Sequence, residues 1–322
     1  MRKLIAIVVW IPLQIAFIPF AIVGVVITTY KQLVVSKRLG VSSTGIEVIQ
    51  GRWTMHWFGL RRDDSTAGLV GALPNATKVG LGLVLFPLWV AQRLSGTTLL
   101  YPRVPVEGEE TLAELVVART VYFDRIIERL APDVEQFVVL GAGYDTRAYG
   151  GLKRDGLRFF EVDQEATQKL KTASLARAGI ESDHVTFLTV DFTRDDTFAK
   201  LEEAGYNPSK ETLFLWEGVT LYLSEQDVRR TLRDIREHAA AGSRVVADIY
   251  ASRTIEYASK SGNRQALEYT GEAVDFGLPF ATDPEGDLER FVTSEGLTVG
   301  ETAFLGRSTK KGTLLAVAEL RV

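Results

Sequence analysis

The chain has 322 residues, enough for one large core or two modest ones, and its composition of 46% hydrophobic and 24% charged residues is typical of a folded protein. It has no cysteine, which excludes disulfides, thiolate metal sites and cysteine nucleophiles. Because it has only three histidines, we expect no histidine-built metal centre and predict no metal site. The net charge of −4 argues against a general nucleic-acid binder, so no nucleic-acid partner is predicted.

The first predicted element is an apolar run over residues 4–30, which contains no charge and is flanked by Arg2, Lys3 and Lys31. A membrane-spanning helix needs about 20 apolar residues. A signal peptide is the alternative, but its apolar region would be about 7–15 residues long and would end in small residues. We therefore predict a retained membrane span over residues 4–30.

A basic and aromatic belt, residues 31–62, follows the span. It holds six Lys and Arg residues against Glu47 alone. Trp53, Trp57 and Phe58 are aromatics of the kind that lie at headgroup level. A basic collar beside an apolar helix suits the anionic cytoplasmic leaflet. The sequence therefore predicts a membrane protein whose catalytic part lies on the cytoplasmic side.

A second apolar segment, residues 73–94, contains an uncharged stretch from Val79 to Gln92. Its length suits a re-entrant or interfacial segment better than a full span. A second span follows if Lys78 snorkels to the interface, and a buried helix of the soluble part is the third interpretation. We assign residues 1–100 to a membrane-associated region and leave open whether it has one span or two.

A proline-containing linker, residues 101–110, separates this region from a domain predicted over 111–322. The domain opens with a helix over 112–130, for which Thr111 and Glu114 form a capping box. Helices predicted over 164–178 and 225–240 then lie between strands predicted over 137–141, 158–162, 184–190, 212–216 and 244–250. This alternation predicts the α/β class, with a doubly wound, mostly parallel sheet and a ligand outside the carboxyl ends of its strands.

The end of the chain breaks the alternation. Two strands, predicted over 300–306 and 313–321, are joined by a short Ser/Thr/Lys/Gly loop with no room for a crossover helix. They form an antiparallel hairpin. A seven-stranded Rossmann-like sheet that ends in such a hairpin is expected of class I methyltransferases, whereas dinucleotide-binding domains usually lack it.

Candidate site residues occur where the first two strands end. In "FVVLGAGYDTRAYG", Gly141 and Gly143 stand where strand becomes turn, and glycine there lets a ligand lie against the backbone. Asp163 ends the next strand, 20 residues after Gly143. An acidic residue at that spacing accepts hydrogen bonds from both ribose hydroxyls of a nucleoside.

The third and fourth strands end in the same manner. Asp191 and Phe192 follow the third strand, where a carboxylate and an aromatic ring can lie beside the base of the nucleoside. Glu217 ends the fourth strand in "LFLWEG" and can face a positive charge. The neighbouring Trp216 would exclude water and strengthen that attraction. Together the four strand ends outline one pocket.

The residues of the turn discriminate between cofactors. A dinucleotide brings a pyrophosphate, which favours a third glycine where this chain has Thr146, and Asp145 would repel phosphate. S-adenosylmethionine has no phosphate and carries a sulfonium and an ammonium, so the carboxylates suit it better. Its own carboxylate needs a cation, for which Arg119 and Arg147 are candidates. We predict S-adenosyl-L-methionine as the cofactor.

Five motifs, "VVARTVYFD", "VVLGAGYDTRAYG", "EVDQEATQKLK", "VDF" and "EGVTLYLSEQDV", resemble in order those of the leucine carboxyl methyltransferase-like family of class I S-adenosylmethionine-dependent methyltransferases. The resemblance covers residues 111–250 and continues over 251–322. It implies that Arg119 binds the methionine carboxylate, Gly141 lines the cofactor and Asp163 holds the ribose. Asp191 and Phe192 would hold the adenine, Glu217 would take the ammonium, and Tyr222 would point towards the substrate. Ala142, Gly143 and Gln164 belong to the same predicted cofactor-binding set.

The chain departs from the family at its N-terminus, where soluble members carry an amphipathic segment that helps to shape the acceptor pocket. The family's substrates therefore do not transfer. A carboxylate acceptor needs no base, whereas a hydroxyl needs one, and neither His56, His184 nor His238 is well placed as a base. The sequence thus favours a carboxylate or an acidic hydroxyl.

The predicted function is a membrane-anchored methyltransferase that O-methylates a carboxylate or hydroxyl of a small or lipid-like acceptor. Two other classes remain open at this point. One is an NAD(P)-dependent oxidoreductase on a Rossmann fold, which leaves Glu217 and the terminal hairpin unexplained. The other is a non-catalytic membrane protein with a relict nucleoside pocket. The sequence identifies neither the acceptor nor the oligomeric state.

Overall fold

One seven-stranded sheet organises the second half of the molecule. The computed structural model describes the backbone of residues 1–322 and the side chains of all except residues 261–264 and 266. The strands are β1 (Gln136–Leu140), β2 (Arg158–Asp163), β3 (Val185–Thr189), β4 (Thr212–Trp216), β5 (Arg244–Tyr250), β6 (Thr298–Leu305) and β7 (Leu315–Arg321). Their order is β3-β2-β1-β4-β5-β7-β6.

The pairing within the sheet confirms the predicted fold class. Strands β1 to β5 pair in parallel, while β7 pairs antiparallel with both β5 and β6. This is the Rossmann-like sheet with a terminal hairpin expected of class I methyltransferases. The strand order reverses between β1 and β4, and ligands of open α/β sheets bind at such a switch point.

The central strands form because they are apolar enough to be buried on both faces, whereas the edge strands β3 and β6 are only partly buried. Every residue of β1 and β4 is buried. In β4, Phe214 and Trp216 pack into the core on one face, whereas Leu213 and Leu215 pack into the core on the other. The observed strand bounds lie within two residues of the predicted ones.

The helices surround the sheet and extend beyond it. In chain order they are α1 (Arg2–Thr29), α2 (Ser36–Leu39), α3 (Ser43–Phe58), α4 (Asp64–Ala72), α5 (Lys78–Ser95), α6 (Leu115–Leu130), α7 (Glu165–Ala178), α8 (Thr197–Glu203), α9 (Glu225–His238), α10 (Ser252–Ala258), α11 (Ser261–Thr270) and α12 (Pro284–Ser294). A π-helical turn, Tyr30–Val35, joins α1 to α2. The predicted capping box of Thr111 and Glu114 is present, on a 3-10 turn that precedes α6.

Helices α3 and α4 pack on the sheet domain, which differs from the placement predicted for the belt. Their apolar side chains form one cluster with Tyr144 and with Leu175 of α7. Trp53 is 7% exposed and Phe58 is 2% exposed. The prediction that these two aromatics lie at headgroup level is therefore wrong, because α3 turns them into the protein interior.

The predicted linker is also held to the fold. Glu110 is fully buried and accepts hydrogen bonds from the Tyr122 hydroxyl at 2.8 Å and the Gly306 backbone N–H at 2.7 Å. Residues 101–110 are thereby attached to α6 and to the loop that follows β6.

Helices α1 and α5 form an antiparallel pair. The Phe17 and Phe86 rings stack with centroids 5.0 Å apart, and Gly24 lies against Gly80. Most of the large apolar side chains of α1 are exposed. Among the described residues, one helical stretch, Arg2–Leu39, is long and apolar enough to cross a membrane, judged by length and composition.

The contact between Gly24 and Gly80 gives a first prediction. A Cβ at Gly24 would lie 2.5 Å from the Gly80 carbonyl oxygen, so Gly24→Ala must push the helices apart, at a cost of about 1–3 kcal/mol. Gly82→Ala on α5 meets nothing within 4 Å and is expected to stabilise that helix by up to about 1 kcal/mol. Thermal unfolding in detergent micelles should show a lower Tm than the wild type for Gly24→Ala but not for Gly82→Ala. Equal Tm values for the two variants would contradict the close packing of Gly24 on Gly80.

Candidate cofactor-binding site

A cavity of about 970 Å³ lies at the carboxyl ends of the parallel strands. Ligand pockets are typically about 300–1,000 Å³, so this one has room for a nucleoside cofactor and a second molecule. All ten residues predicted for the site line it: Arg119, Gly141, Ala142, Gly143, Asp163, Gln164, Asp191, Phe192, Glu217 and Tyr222. The structure thus brings the predicted set together, while the role of each member stays a prediction.

The glycine turn after β1 is fixed to the end of β2. Gly141 has a φ of +69°, and a Cβ there would lie 2.3 Å from Cγ2 of Val219. The N–H groups of Gly141 and Ala142 donate to the Val162 carbonyl at 2.8 and 3.0 Å. A side chain at position 141 has no space, so the backbone itself forms this wall of the cavity.

Asp163 stands at the cavity edge, where β2 ends. Its two carboxylate oxygens accept the backbone N–H of Gly143 at 2.5 Å and of Gln164 at 2.6 Å. Burial raises the pKa of Asp163 above its usual value, and these two hydrogen bonds oppose the rise. Each oxygen keeps a lone pair for another donor, so the carboxylate can still accept from two hydroxyls. The Gln164 side chain is exposed.

Asp191 and Phe192 lie just beyond β3. One oxygen of Asp191 accepts from the Thr193 hydroxyl at 2.7 Å and from the Thr193 N–H at 2.9 Å, and these bonds lower the pKa of Asp191. The half-buried Phe192 ring packs on one of the two cores of the sheet. The pair presents a charged acceptor and an apolar wall to the same part of the cavity.

Glu217 is held by arginines from three different helices or turns. Its Oε2 accepts from Arg52 at 2.7 Å and from Arg147 at 2.8 Å, while its Oε1 lies 3.4 Å from Nε of Arg119. Burial alone would raise the pKa of Glu217, but the three guanidinium groups hold it below the usual value. The predicted carboxylate is therefore ionised, as an ammonium ligand requires.

The same network corrects our interpretation of Asp145. Its carboxylate pairs with Arg52 at 2.8 Å and with Arg147 at 2.5 Å, and although it is buried its pKa lies far below the usual value. The sequence analysis predicted that Asp145 would repel phosphate. Because two guanidinium groups compensate its charge, that repulsion is not expected. Arg147 is engaged by Asp124, Asp145 and Glu217 and lies behind the cavity wall.

Arg119 is the better placed of the two candidate cations, since it lines the cavity. It also donates to Asp248 at 3.0 Å and to the Tyr250 hydroxyl. Among the described residues, Nε of Arg119 and Oε1 of Glu217 are buried without a hydrogen-bond partner. A cationic and an anionic group left side by side match the ammonium and carboxylate of an amino acid, so these residues fit the methionine end of S-adenosylmethionine.

Two charged members of the network were missed by the sequence analysis. Arg52 was counted in the basic belt, yet it is 2% exposed and reaches the site from α3. Asp248 is fully buried in β5, where burial raises its pKa to about 6. The charge inside the apolar stretch "RVVADIY" was a usable signal for Asp248, whereas nothing in the sequence distinguished Arg52 from the other belt residues.

Tyr222 lies on the cavity wall in contact with the N-terminal segment. Its hydroxyl donates to Oγ1 of Thr44 at 2.7 Å, and that hydroxyl in turn donates to Glu272 at 2.8 Å. Residues 40–45 line this part of the cavity. The N-terminal region therefore closes the site from above and contributes part of its surface.

Comparison with known proteins agrees with this architecture. Residues 91–236 match the family model of the leucine carboxyl methyltransferases. A protein of Mycolicibacterium smegmatis, named as an S-adenosyl-L-methionine-dependent methyltransferase, is 33% identical over 185 residues, which span 52% of this chain and 62% of that protein. Similarly named proteins of Mycobacterium avium and Bacillus subtilis are 29% and 31% identical, over 78% and 59% of this chain and 81% and 63% of their own lengths. This chain is therefore similar to the leucine carboxyl methyltransferases over residues 91–236, and to S-adenosyl-L-methionine-dependent methyltransferases over more than half of its length.

Proposed function

We propose that the protein is a membrane-anchored enzyme that transfers the methyl group of S-adenosylmethionine to an oxygen atom of a lipid-like acceptor. The observation that carries this proposal is the continuity between the apolar helix and the cavity. Helix α1 passes through the π-helical turn Tyr30–Val35, and two residues of that turn, Gln32 and Leu33, line the cavity. An acceptor held at the end of α1 lies directly beside the reacting site.

The exposed surface of α1 supports the membrane part of the proposal. Its 28 residues extend about 42 Å at 1.5 Å per residue, more than the roughly 30 Å of a bilayer core. Large apolar patches of this kind mark membrane or protein contacts. Lys31, Lys37 and Arg38 follow its C-terminal end, where a cytoplasmic leaflet would attract them.

The walls of the cavity support a lipid-like acceptor. Apart from the strand ends, the lining is rich in large aliphatic side chains: Leu33, Val48, Leu112, Leu115, Val116, Leu221, Ile255 and Leu267. Most of them come from the N-terminal segment, from α6 with the 3-10 turn before it, and from the α10–α11 region, while Leu221 belongs to the 3-10 turn after β4. The acceptor would thus lie between the N-terminal segment and the sheet. An apolar lining with a few polar groups is what orients a hydrophobic ligand.

The residues of the site have simple tasks in this reaction. The cofactor supplies a methyl group already activated by the sulfonium. Asp163 would hold the ribose, Asp191 and Phe192 the adenine, and Glu217 with Arg119 the amino acid end. The remaining walls hold the acceptor oxygen in line with the carbon–sulfur bond and exclude water, and positioning of this kind supplies most of the rate.

Transfer of tritium tests the proposal. The purified full-length protein, in detergent, is incubated with methyl-tritiated S-adenosylmethionine and a total lipid extract of the cells that produce it. We expect label in the organic phase, because the acceptor partitions into lipid, and none with heat-inactivated protein. Label that stays in water-soluble products, or no transfer at all, would contradict the proposed acceptor class.

A further inference from the structure

We infer that Glu47 is the catalytic base of the acceptor site and that the acceptor group is a neutral hydroxyl, which makes the product a methyl ether. This inference rests on the proposed function. Glu47 belongs to α3 and lines the cavity. Its side chain is exposed although α3 is covered by other elements, because the surface it exposes faces the cavity.

Glu47 differs from the other carboxylates of the cavity in having no partner among the described side chains. Asp145 and Glu217 are paired with arginines, and Asp163 accepts two backbone N–H groups. Glu272 accepts hydroxyl hydrogen bonds from Ser42, Ser43, Thr44 and Thr270. Among the side chains that the structure describes, none donates a hydrogen bond to Glu47 or pairs with it. Its lone pairs are free to accept a proton from a bound molecule.

Glu47 lies on the part of the cavity wall that α3 forms beside α6. It lies one helical turn before Gly51, where α3 touches Val116 of α6. Four ionisable groups face it from the surrounding elements: Arg119 of α6, Tyr101 after α5, Tyr222 after β4, and Glu272 after α11. Burial raises the pKa of Glu47, with Glu272 adding to the rise and Arg119 opposing it, which brings the carboxylate closer to the range in which a base works near neutral pH.

Tyr222 does not take this role. Its hydroxyl already donates to Thr44, and burial raises its pKa further above the usual value, so the phenolate is not available at neutral pH. None of the three histidines lines the cavity. In the sequence analysis the lack of a suitable histidine favoured a carboxylate or an acidic hydroxyl as acceptor, and a base at Glu47 would remove that argument.

The charge of the described cavity lining favours a neutral acceptor over a carboxylate. Among the described residues, six carboxylates line the cavity (Glu47, Asp145, Asp163, Asp191, Glu217 and Glu272), against the guanidinium groups of Arg52 and Arg119. Both arginines are already ion-paired. Among these described side chains no guanidinium is free to pair with a second anion beside Glu47, so the sulfonium of the bound cofactor would be its main counter-charge, and burying a poorly compensated charge is costly. A neutral hydroxyl meets no such penalty.

The step is balanced as a proton transfer coupled to substitution. Glu47 takes the hydroxyl proton while the acceptor oxygen bonds to the methyl carbon. The carbon–sulfur bond breaks and its electron pair stays on sulfur, which becomes a neutral thioether. Glu47 then releases the proton to water. General-base assistance of this kind contributes about 10²–10⁴-fold.

Glu47→Gln tests the inference, because it keeps the shape of the side chain and removes the base. With the lipid extract as acceptor source, we expect kcat to fall by about 100-fold or more, while calorimetry shows unchanged affinity for S-adenosylmethionine. The acid limb of the wild-type pH–rate profile, where Glu47 is protonated, should disappear, and Glu47→Asp should recover part of the rate. The control is Glu203→Gln on α8, an exposed residue far from the cavity lining, which should match the wild type.

Alkaline hydrolysis of the labelled product separates the outcomes. A methyl ether resists base, whereas a methyl ester releases volatile tritiated methanol. Base-stable label that Glu47→Gln loses supports the inference. Base-labile label, or an unchanged rate in Glu47→Gln, overturns it and leaves the proposed function standing. If the wild-type protein transfers no label, the proposed function itself fails.

Discussion

Asp163→Ala is expected to weaken the binding of S-adenosylmethionine by about a hundred-fold or more. Hydrogen bonds to a charged group contribute about 1.5–3 kcal/mol each, and two ribose hydroxyls are proposed to donate to this carboxylate. The backbone N–H groups of Gly143 and Gln164 would also lose their acceptor, so the turn would no longer be fixed in place. Asp163→Asn keeps one acceptor oxygen and should lose less affinity. Calorimetric titration of the detergent-solubilised protein measures both variants.

Asp183→Ala is the matched control for this titration. Asp183 is exposed and precedes β3, at the opposite edge of the sheet, so its loss should leave the affinity unchanged. A parallel titration with NADH tests the oxidoreductase alternative, since both cofactors place a ribose against an acidic strand end. Binding of NADH in place of S-adenosylmethionine, or equal affinities in the wild type and Asp163→Ala, would remove Asp163 from the proposed ribose site.

The sheet was predictable because each of its strands carries a local signal. Strands such as β1 and β4 are buried on both faces, so their sequences are short apolar runs between turn residues. The loop between β6 and β7 is too short for a crossover, which fixed their antiparallel pairing. Helices α10 to α12 between β5 and β6 were not predicted; residues of α10 and α11 line the cavity, whereas α12 packs on the core of the sheet.

The clustering of the candidate cofactor residues was predictable for a geometric reason. The carboxyl ends of parallel strands meet at one edge of the sheet, so Gly141, Asp163 and Glu217, far apart in sequence, had to lie close together. Arg52 and Glu47 carry no such constraint. Both belong to a basic, aromatic segment that suited a membrane surface equally well, and only the packing of α3 on the sheet domain brings them to the site.

The ion pairs of Arg52 connect the N-terminal region to the cofactor site. Its Nη1 donates to Asp145 at 2.8 Å and its Nη2 donates to Glu217 at 2.7 Å, with the guanidinium almost fully buried. A buried ion pair adds little compared with an apolar contact, because desolvation offsets the attraction. Removal of one partner is different, since the other charges stay buried without compensation. Arg52 is therefore needed to compensate the charges of Asp145 and Glu217 once α3 has packed over the site.

Arg52→Ala is expected to destabilise the protein by about 3–5 kcal/mol, because Asp145 and Glu217 would be left with Arg147 and Arg119 alone. Arg52→Lys should recover only part of this, since a single ammonium cannot donate to both carboxylates as a planar guanidinium does. Arg62→Ala is the control: its side chain is 89% exposed and its ion pair with Asp64 lies at the surface, so it should change stability by less than about 0.5 kcal/mol. Denaturant unfolding in micelles gives the three values. If Arg52→Ala unfolds at the same midpoint as Arg62→Ala, these ion pairs do not hold the N-terminal region to the site. The proposal that this region covers the acceptor part of the cavity would then lose its main support.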